Sequence, residues 1–189
     1  LADWNAIGEL KAAVPEIPVL GNGDIWEASD AVRMMRETGC DGVVIGRGCL
    51  GRPWLFRDLV EALNGRPVAA APSLGEACAV MATHARLLVE HLGENLAMRD
   101  FRKHTSWYLT GYPVGGEVRK RFSGVSTYSE LEDLIAALDP KIQVVEGGER
   151  TRRGLTNGPI RVALPAGYLD HLDDLTVPDD ADVMALSGG

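Results

Sequence analysis

An α/β unit followed by an all-helical domain is the fold class that the 189-residue sequence predicts, and three observations carry it. Two short apolar runs in residues 1–66 are separated by a helical pattern, and each run ends in a glycine turn. Past a break rich in Pro and Ala, every later periodic stretch has helical spacing.

The elements follow in order. Trp4 to Val14 reads as a helix, and "IPVL" at Ile17–Leu20 and "GVVI" at Gly42–Ile45 read as buried parallel strands. Between them Ala28, Ala31, Val32 and Met35 fall on one helical face, with Gly39 as the C-terminal cap. Pro53 suits the first turn of a helix that carries Trp54, Leu55, Phe56 and Leu59. "RPVAAAPS" at Arg66–Ser73 reads as a linker. Ser73 and Glu76 then form a capping box for a helix with Ala77, Val80, Met81, His84 and Leu88 turned inward. A second helix is expected over Asn95–Thr110, stopped by Gly111 and Pro113, and a third over Val114–Phe122. Thr127 and Glu130 make another capping-box pattern ahead of Leu131, Leu134, Ile135 and Leu138. The expected domains are therefore an α/β part over 1–66, a helical bundle over 73–140, and an acidic tail over 141–189. The tail is rich in Gly and Pro, has a short apolar "RVAL" at Arg161–Leu164, and is expected to be loosely ordered.

Composition narrows the function classes. A net charge of -8 argues against a uniformly basic nucleic-acid binder but leaves room for local patches. No apolar run approaches the roughly 20 residues that span a membrane, and a secretory pattern is missing from the first residues, so a cytoplasmic location is expected. Cys40, Cys49 and Cys78 form no C-x-x-C pair and read as three reduced thiols, with no metal site. His84 and His91 lack further ligands at metal spacing, and His84 falls in an apolar stripe, so packing is the better reading. Trp4, Trp26 and Trp54 read as core or interface anchors.

The two glycine turns carry the chemistry. "GNGD" at Gly21–Asp24 and "GRG" at Gly46–Gly48 each follow a strand, so both loops lie at strand carboxyl ends. Glycine removes the Cβ that would keep an anion from backbone N–H groups, and Arg47 adds a charged fork. In a (β/α)8 barrel the last two βα loops commonly make a phosphate site, and the order and spacing here match. Plain turn chemistry is the alternative for either loop alone.

"IPVLGNGDI", "DGVVIGRGCLGRPWLF" and "MRDFRKHTSWYLTGYPVGGEVRKRFSGVSTYSELEDLI" together resemble the C-terminal half of a bacterial tRNA-dihydrouridine synthase, over residues 3 to about 140. The resemblance implies the last two βα units of a flavin-binding (β/α)8 TIM barrel and a helical domain that holds tRNA. It implies an FMN phosphate against Asn22, Gly23, Asp24, Gly46 and Arg47, with NADPH as the reductant of the full enzyme. It also implies a cysteine proton donor on an earlier barrel loop. None of Cys40, Cys49 or Cys78 stands in that motif, so the chain is expected to be a fragment without catalytic residues of its own. Unpaired barrel strands expose edges, and self-association through them is expected.

The helical part has its own argument for tRNA. Arg99, Arg102, Lys103 and Ser106 share one face of the second helix, while Ala97, Phe101, Thr105 and Tyr108 point away from it. Arg119, Lys120 and Arg121 follow, and residues 99–121 carry six cations against two anions, a net of +4. Such a patch suits RNA phosphates, with His104 or Trp107 available for stacking or packing. A merely solvated basic face is the alternative. At the level of function, the alternatives are a tRNA-binding helical module without catalysis, or part of another FMN- or phosphate-binding barrel.

Overall fold

The computed structural model describes residues 2–154, together with Asp170 and Asp173, and residues 1–154 form one unit. The apolar run at Arg161–Leu164 and most of the expected tail lie outside the described residues.

Helix α1 (Trp4–Ala13) starts where the Asp3 carboxylate accepts the Asn5 N–H. Strand β1 spans Leu20–Asn22 rather than the expected Ile17–Leu20. Pro18 has no N–H to give, and the Val19 N–H goes to the Asp41 carboxylate at 2.7 Å, so the ladder starts one residue later. Helix α2 (Ala28–Thr38) closes on Gly39, whose φ of 69° is the left-handed conformation that glycine adopts without strain. It leads to β2 (Gly42–Val44), which pairs parallel with β1 in the register Leu20 to Gly42 and Asn22 to Val44. Helix α3 (Trp54–Leu63) follows a 3-10 turn at Arg47–Cys49.

The strands are not the buried strands that the sequence predicts. Leu20 is 58% exposed and Val44 45% exposed, whereas Val19 is buried with Ile25, Ala31, Met34, Cys40 and Leu55. A pleated sheet sends alternate side chains to opposite faces, and α2 and α3 cover only one of them here.

The bundle consists of α4 (Leu74–Leu92), α5 (Glu94–Leu109), α6 (Gly116–Gly124) and α7 (Tyr128–Ala136). The Ser73–Glu76 capping box forms in both directions. At α7 the Thr127 hydroxyl accepts the Glu130 N–H, but the Glu130 carboxylate takes the N–H of Ser126 instead of Thr127. Ala77, Met81, Met98, Phe101, Leu109, Phe122 and Leu131 fill the bundle core. Val80, expected inward, is 37% exposed, because the buried stripe of α4 runs through Leu74, Ala77, Cys78, Met81 and Ala85.

Residues 141–154 correct the expected start of the loose tail. The Val145 N–H donates to the Gly111 carbonyl, and a 3-10 turn at Gly148–Arg150 follows. Arg153 is 3% exposed and donates to the Thr110 carbonyl at 3.2 Å. Ile142 and Val144 pack against the bundle core, and the other contacts of the stretch are ion pairs and backbone bonds, which composition alone cannot distinguish from solvation.

Gly51 joins the two halves. A Cβ there would lie 2.3 Å from the Trp107 carbonyl carbon, in a residue whose φ is already +66°. Gly65 has the same φ with no neighbour within 4 Å. Gly65→Ala is therefore expected to cost about 1 kcal/mol, the conformational strain alone, and Gly51→Ala about 3 kcal/mol or more. Urea unfolding of the two variants checks this, and equal losses would mean that the contact with α5 carries no stability.

Candidate functional site

Asn22, Gly23, Asp24, Gly46 and Arg47 line one cavity of about 180 Å3 at the carboxyl ends of β1 and β2. That volume is below the roughly 300–1,000 Å3 of a pocket enclosing a whole organic ligand, so the cavity suits one compact group. The two loops touch closely: a Cβ on Gly48 would lie 2.1 Å from the Ile25 carbonyl oxygen. Any side chain at Gly48 would push the loops apart.

The donors are unequally committed. The Asn22 side-chain N–H2 donates to the Val44 carbonyl at 3.0 Å and ties the two strand ends together. Asp24 has φ 52°, a left-handed conformation that Asp tolerates, and its carboxylate accepts the Ala2 N–H. That carboxylate is thereby satisfied by backbone, as a turn residue. Trp4 Nε1 donates to the Gly23 carbonyl at 3.1 Å and holds the first loop from α1. Among the described residues Arg47 has no ion pair, and the Arg47 and Gly48 N–H groups meet no acceptor. An exposed guanidinium and backbone N–H groups at the start of a turn, beside Gly46 with no side chain to fill the cradle, can hold an anion with phosphate geometry. The residues present therefore fit the phosphate end of a nucleotide or flavin.

A second layer fixes the loops, and no local sequence pattern announces it. Arg52, 2% exposed, donates to the Trp26 carbonyl at 2.7 Å, to the Glu149 carbonyl at 2.9 Å and to the Glu149 carboxylate at 2.7 Å. Arg150 pairs with Glu27 at 2.7 Å and with Asp30 at 3.1 Å, and Asp30 also accepts the Trp26 and Glu27 N–H groups. Burial, reinforced by Arg52, pushes Arg153 down to about 10, so it still carries its charge at neutral pH. Partners 97 to 123 residues apart leave no local pattern to read.

The six candidate RNA-facing cations separate into three kinds. Arg99, Lys120 and Arg121 are exposed. Lys103, also exposed, pairs with Asp100 at 2.6 Å. Arg102 donates to the Val125 carbonyl at 2.8 Å and to Ser126 Oγ, and Arg119 donates to the Tyr112 carbonyl at 2.6 Å. These last two tie α5 and α6 to neighbouring turns. The opposite face of α5 matches the expectation, since Ala97, Phe101, Thr105 and Tyr108 are all buried.

No group of three His, Cys, Asp or Glu able to hold a metal occurs among the described residues, and no described helix is long and apolar enough to cross a membrane. All three cysteines are free thiols. Burial raises the Cys49 thiol and pushes Cys78 up to about 11, which favours the inert protonated form.

His84 stands against Phe101, His104 and Tyr108, so its place in the packing agrees with the expectation. Burial pushes His104 down to about 4 and lowers His84 as well. The unfolded chain binds these protons near the ordinary value of about 6.5 and the folded chain does not. The stability these neutral rings contribute is thus complete at neutral pH and is lost as pH falls from about 6.5 towards 4. A lower urea midpoint at pH 5 than at pH 7, with a smaller drop in His104→Leu, is the expected outcome; an equal drop would exclude His104 as its source.

Comparison with known proteins shows the family. A family model described as "Dihydrouridine synthase (Dus)" matches residues 1–143. The probable tRNA-dihydrouridine synthase of Mycobacterium leprae (strain TN) is 53% identical over 190 aligned positions, covering 100% of this chain and 48% of that protein. Its counterpart in Mycobacterium tuberculosis (strain ATCC 25618 / H37Rv) is 50% identical with the same coverage. The tRNA-dihydrouridine synthase B of Pseudomonas putida (strain KT2440) is 36% identical over 146 positions, 77% of this chain and 43% of that protein. The chain thus spans about half the length of the curated relatives it matches. By a family model that covers most of its length, and by relatives that cover all of it, the chain belongs to the dihydrouridine synthase family.

Proposed function

We propose that this chain is the part of a flavin-dependent tRNA-dihydrouridine synthase that holds the FMN phosphate and grips tRNA. The observation that carries the reading is the convergence of two glycine turns and Arg47 on one cradle at the carboxyl ends of a parallel strand pair. In this reading residues 1–66 are the last two βα units of a (β/α)8 barrel. The face that the helices leave bare, with Leu20 and Val44, turns to the barrel interior there, and the unpaired strand edges are where the chain alone would self-associate.

Bound FMN would supply the hydride that reduces uridine to dihydrouridine, with NADPH as its reductant. What this chain's residues do is narrower. The Arg47 guanidinium balances the phosphate charge, the N–H groups of Arg47 and Gly48 orient it, and Asn22 keeps the strand ends in register. Gly46 leaves room for its approach, Gly23 lets the first loop pack on Ala2 and lines the cradle with its backbone, and Asp24 shapes that loop. Orientation of this kind places a reactive ring, but the proton needed at the neighbouring carbon requires an acid beside the substrate. Cys40 and Cys78 are buried, and the Cys49 thiol donates to the Gly46 carbonyl at 3.2 Å. We therefore place the acid outside this chain and expect the chain alone to be inactive.

Residues 73–140 form the tRNA-binding domain in this reading, and the enzyme works in the cytoplasm. Arg99, Lys103, Lys120 and Arg121 reach phosphates directly, while Arg102 and Arg119 hold α5 and α6 in place and add to the field. Residues 141–154 lock that domain to the cradle loops.

Two titrations test the two halves separately. Flavin fluorescence should show FMN binding by the 189-residue chain that weakens at least tenfold in Arg47→Ala, because a charged hydrogen-bond partner of the phosphate is lost. FMN binding unaffected by Arg47→Ala would overturn the cradle. Binding of a tRNA transcript should weaken as salt rises, and Arg99→Ala/Lys120→Ala/Arg121→Ala should flatten that salt slope by roughly one unit per lost phosphate contact. An unchanged slope would remove these cations from the interface.

A further inference from the structure

A second cavity, of about 410 Å3, lies between the loop that follows β2 and the helices α4 and α5, apart from the cradle. Leu50, Pro53, Val80 and Leu87 give it aliphatic walls, and the imidazoles of His84 and His104 open into it. Leu87 is 52% exposed and Val80 37%, on a helix whose other face is fully buried. The volume is that of a small-molecule pocket.

The polar side of this cavity is made of flat, uncharged rings. The His84 and His104 centroids lie 4.8 Å apart edge to face, and His104 stacks on Phe101 at 23° and meets the Trp107 ring edge-on. His84 Nδ1 is 3.2 Å from the Tyr108 hydroxyl, which leaves its Nε2 for another partner. Since burial keeps both rings neutral at pH 7, each presents one donor and one acceptor rather than a charge.

That combination selects its occupant. A metal ion lacks a third ligand here. A phosphate would meet no cation among the lining residues. An aliphatic segment of a protein partner would leave the imidazole nitrogens without hydrogen bonds, at a desolvation cost. A planar heterocycle with donors and acceptors on its edge satisfies walls and nitrogens together, as unstacked RNA bases do on His and other aromatic rings. Position agrees with chemistry. Leu50 ends the same short loop that starts at Arg47, and α5 carries both His104, on its packed side, and the exposed cations Arg99 and Lys103, around the helix from it. A strand that crosses α5 thus offers its phosphates and a base to one element.

We propose that this cavity takes one unpaired nucleobase of the RNA substrate, stacked against His104 and hydrogen-bonded by His84, as an anchor separate from the base that reacts. The proposal rests on the tRNA-binding reading above. It makes recognition of RNA by this chain more than electrostatic, because one contact reads a base and not only phosphates.

The test compares two single-stranded ligands of equal charge, the tetranucleotide UUUU and an abasic ribose-phosphate tetramer. Each is titrated into the 189-residue chain while the imidazole carbon-bound protons are followed by NMR. The expected result is UUUU binding at least tenfold tighter than the abasic tetramer, with His84 and His104 resonances shifting only when bases are present. Val80→Trp, which fills the cavity without altering a charge, should erase the preference and leave the salt slope of binding unchanged. Leu87→Trp, at an exposed position on the same helix, should do the same should Val80→Trp unfold the bundle. Equal affinity for the two ligands, unshifted imidazole resonances, or no binding of either would overturn the base pocket. The tRNA titration of the basic-residue variants judges the wider reading by itself, so the two failures are distinguishable.

Discussion

The Arg52 guanidinium holds together three parts of the chain that lie far apart in sequence. It bonds the carbonyl before α2, sits at the end of the loop after β2, and takes both carbonyl and carboxylate from Glu149. A charge this deeply buried is tolerable only when it is paired and hydrogen-bonded, so the three acceptors must be in place together. With them in place, the two cradle loops can approach as closely as Gly48 and Ile25 do. The cradle is thus built by glycine where the loops meet each other, and by arginine where they meet the rest of the molecule.

The same residues explain how the two halves act as one unit. Gly51 lies against the α5 backbone, Arg153 bonds the end of α5, and Arg150 returns to the first turn of α2. A helical domain on a free tether would present its cations at variable distance from the cradle. Packed this way, α5 stands at a fixed distance from the loop that carries Arg47, which is what an enzyme needs if one surface grips RNA while another orients a cofactor.

Local chemistry made much of this legible in the sequence. The helix starts at Ser73 and Thr127, the stop at Gly39 and the buried face of α5 are each written within a few residues. What could not be read depends on distant partners. The limits of β1 follow from Asp41 taking a backbone N–H, and the order of residues 141–154 follows from Arg52, Glu27 and Asp30. Arg102 and Arg119 looked like surface cations because nothing nearby showed that backbone carbonyls awaited them. Val80 and Leu87 fit a helix pattern equally well as core or as cavity wall, and only the position of the loop after β2 decides.

Residues 148–153 also set a sequence of events. Chain synthesis delivers both glycine turns and Arg52 about a hundred residues before Glu149, and during that interval the guanidinium has no carboxylate to justify its burial. Long-range contacts of this kind form late, because a large loop must close before they contribute. The nascent βα units therefore remain open at the edge formed by the two glycine turns. Residues 148–153 thus complete loops that were made about a hundred residues before them.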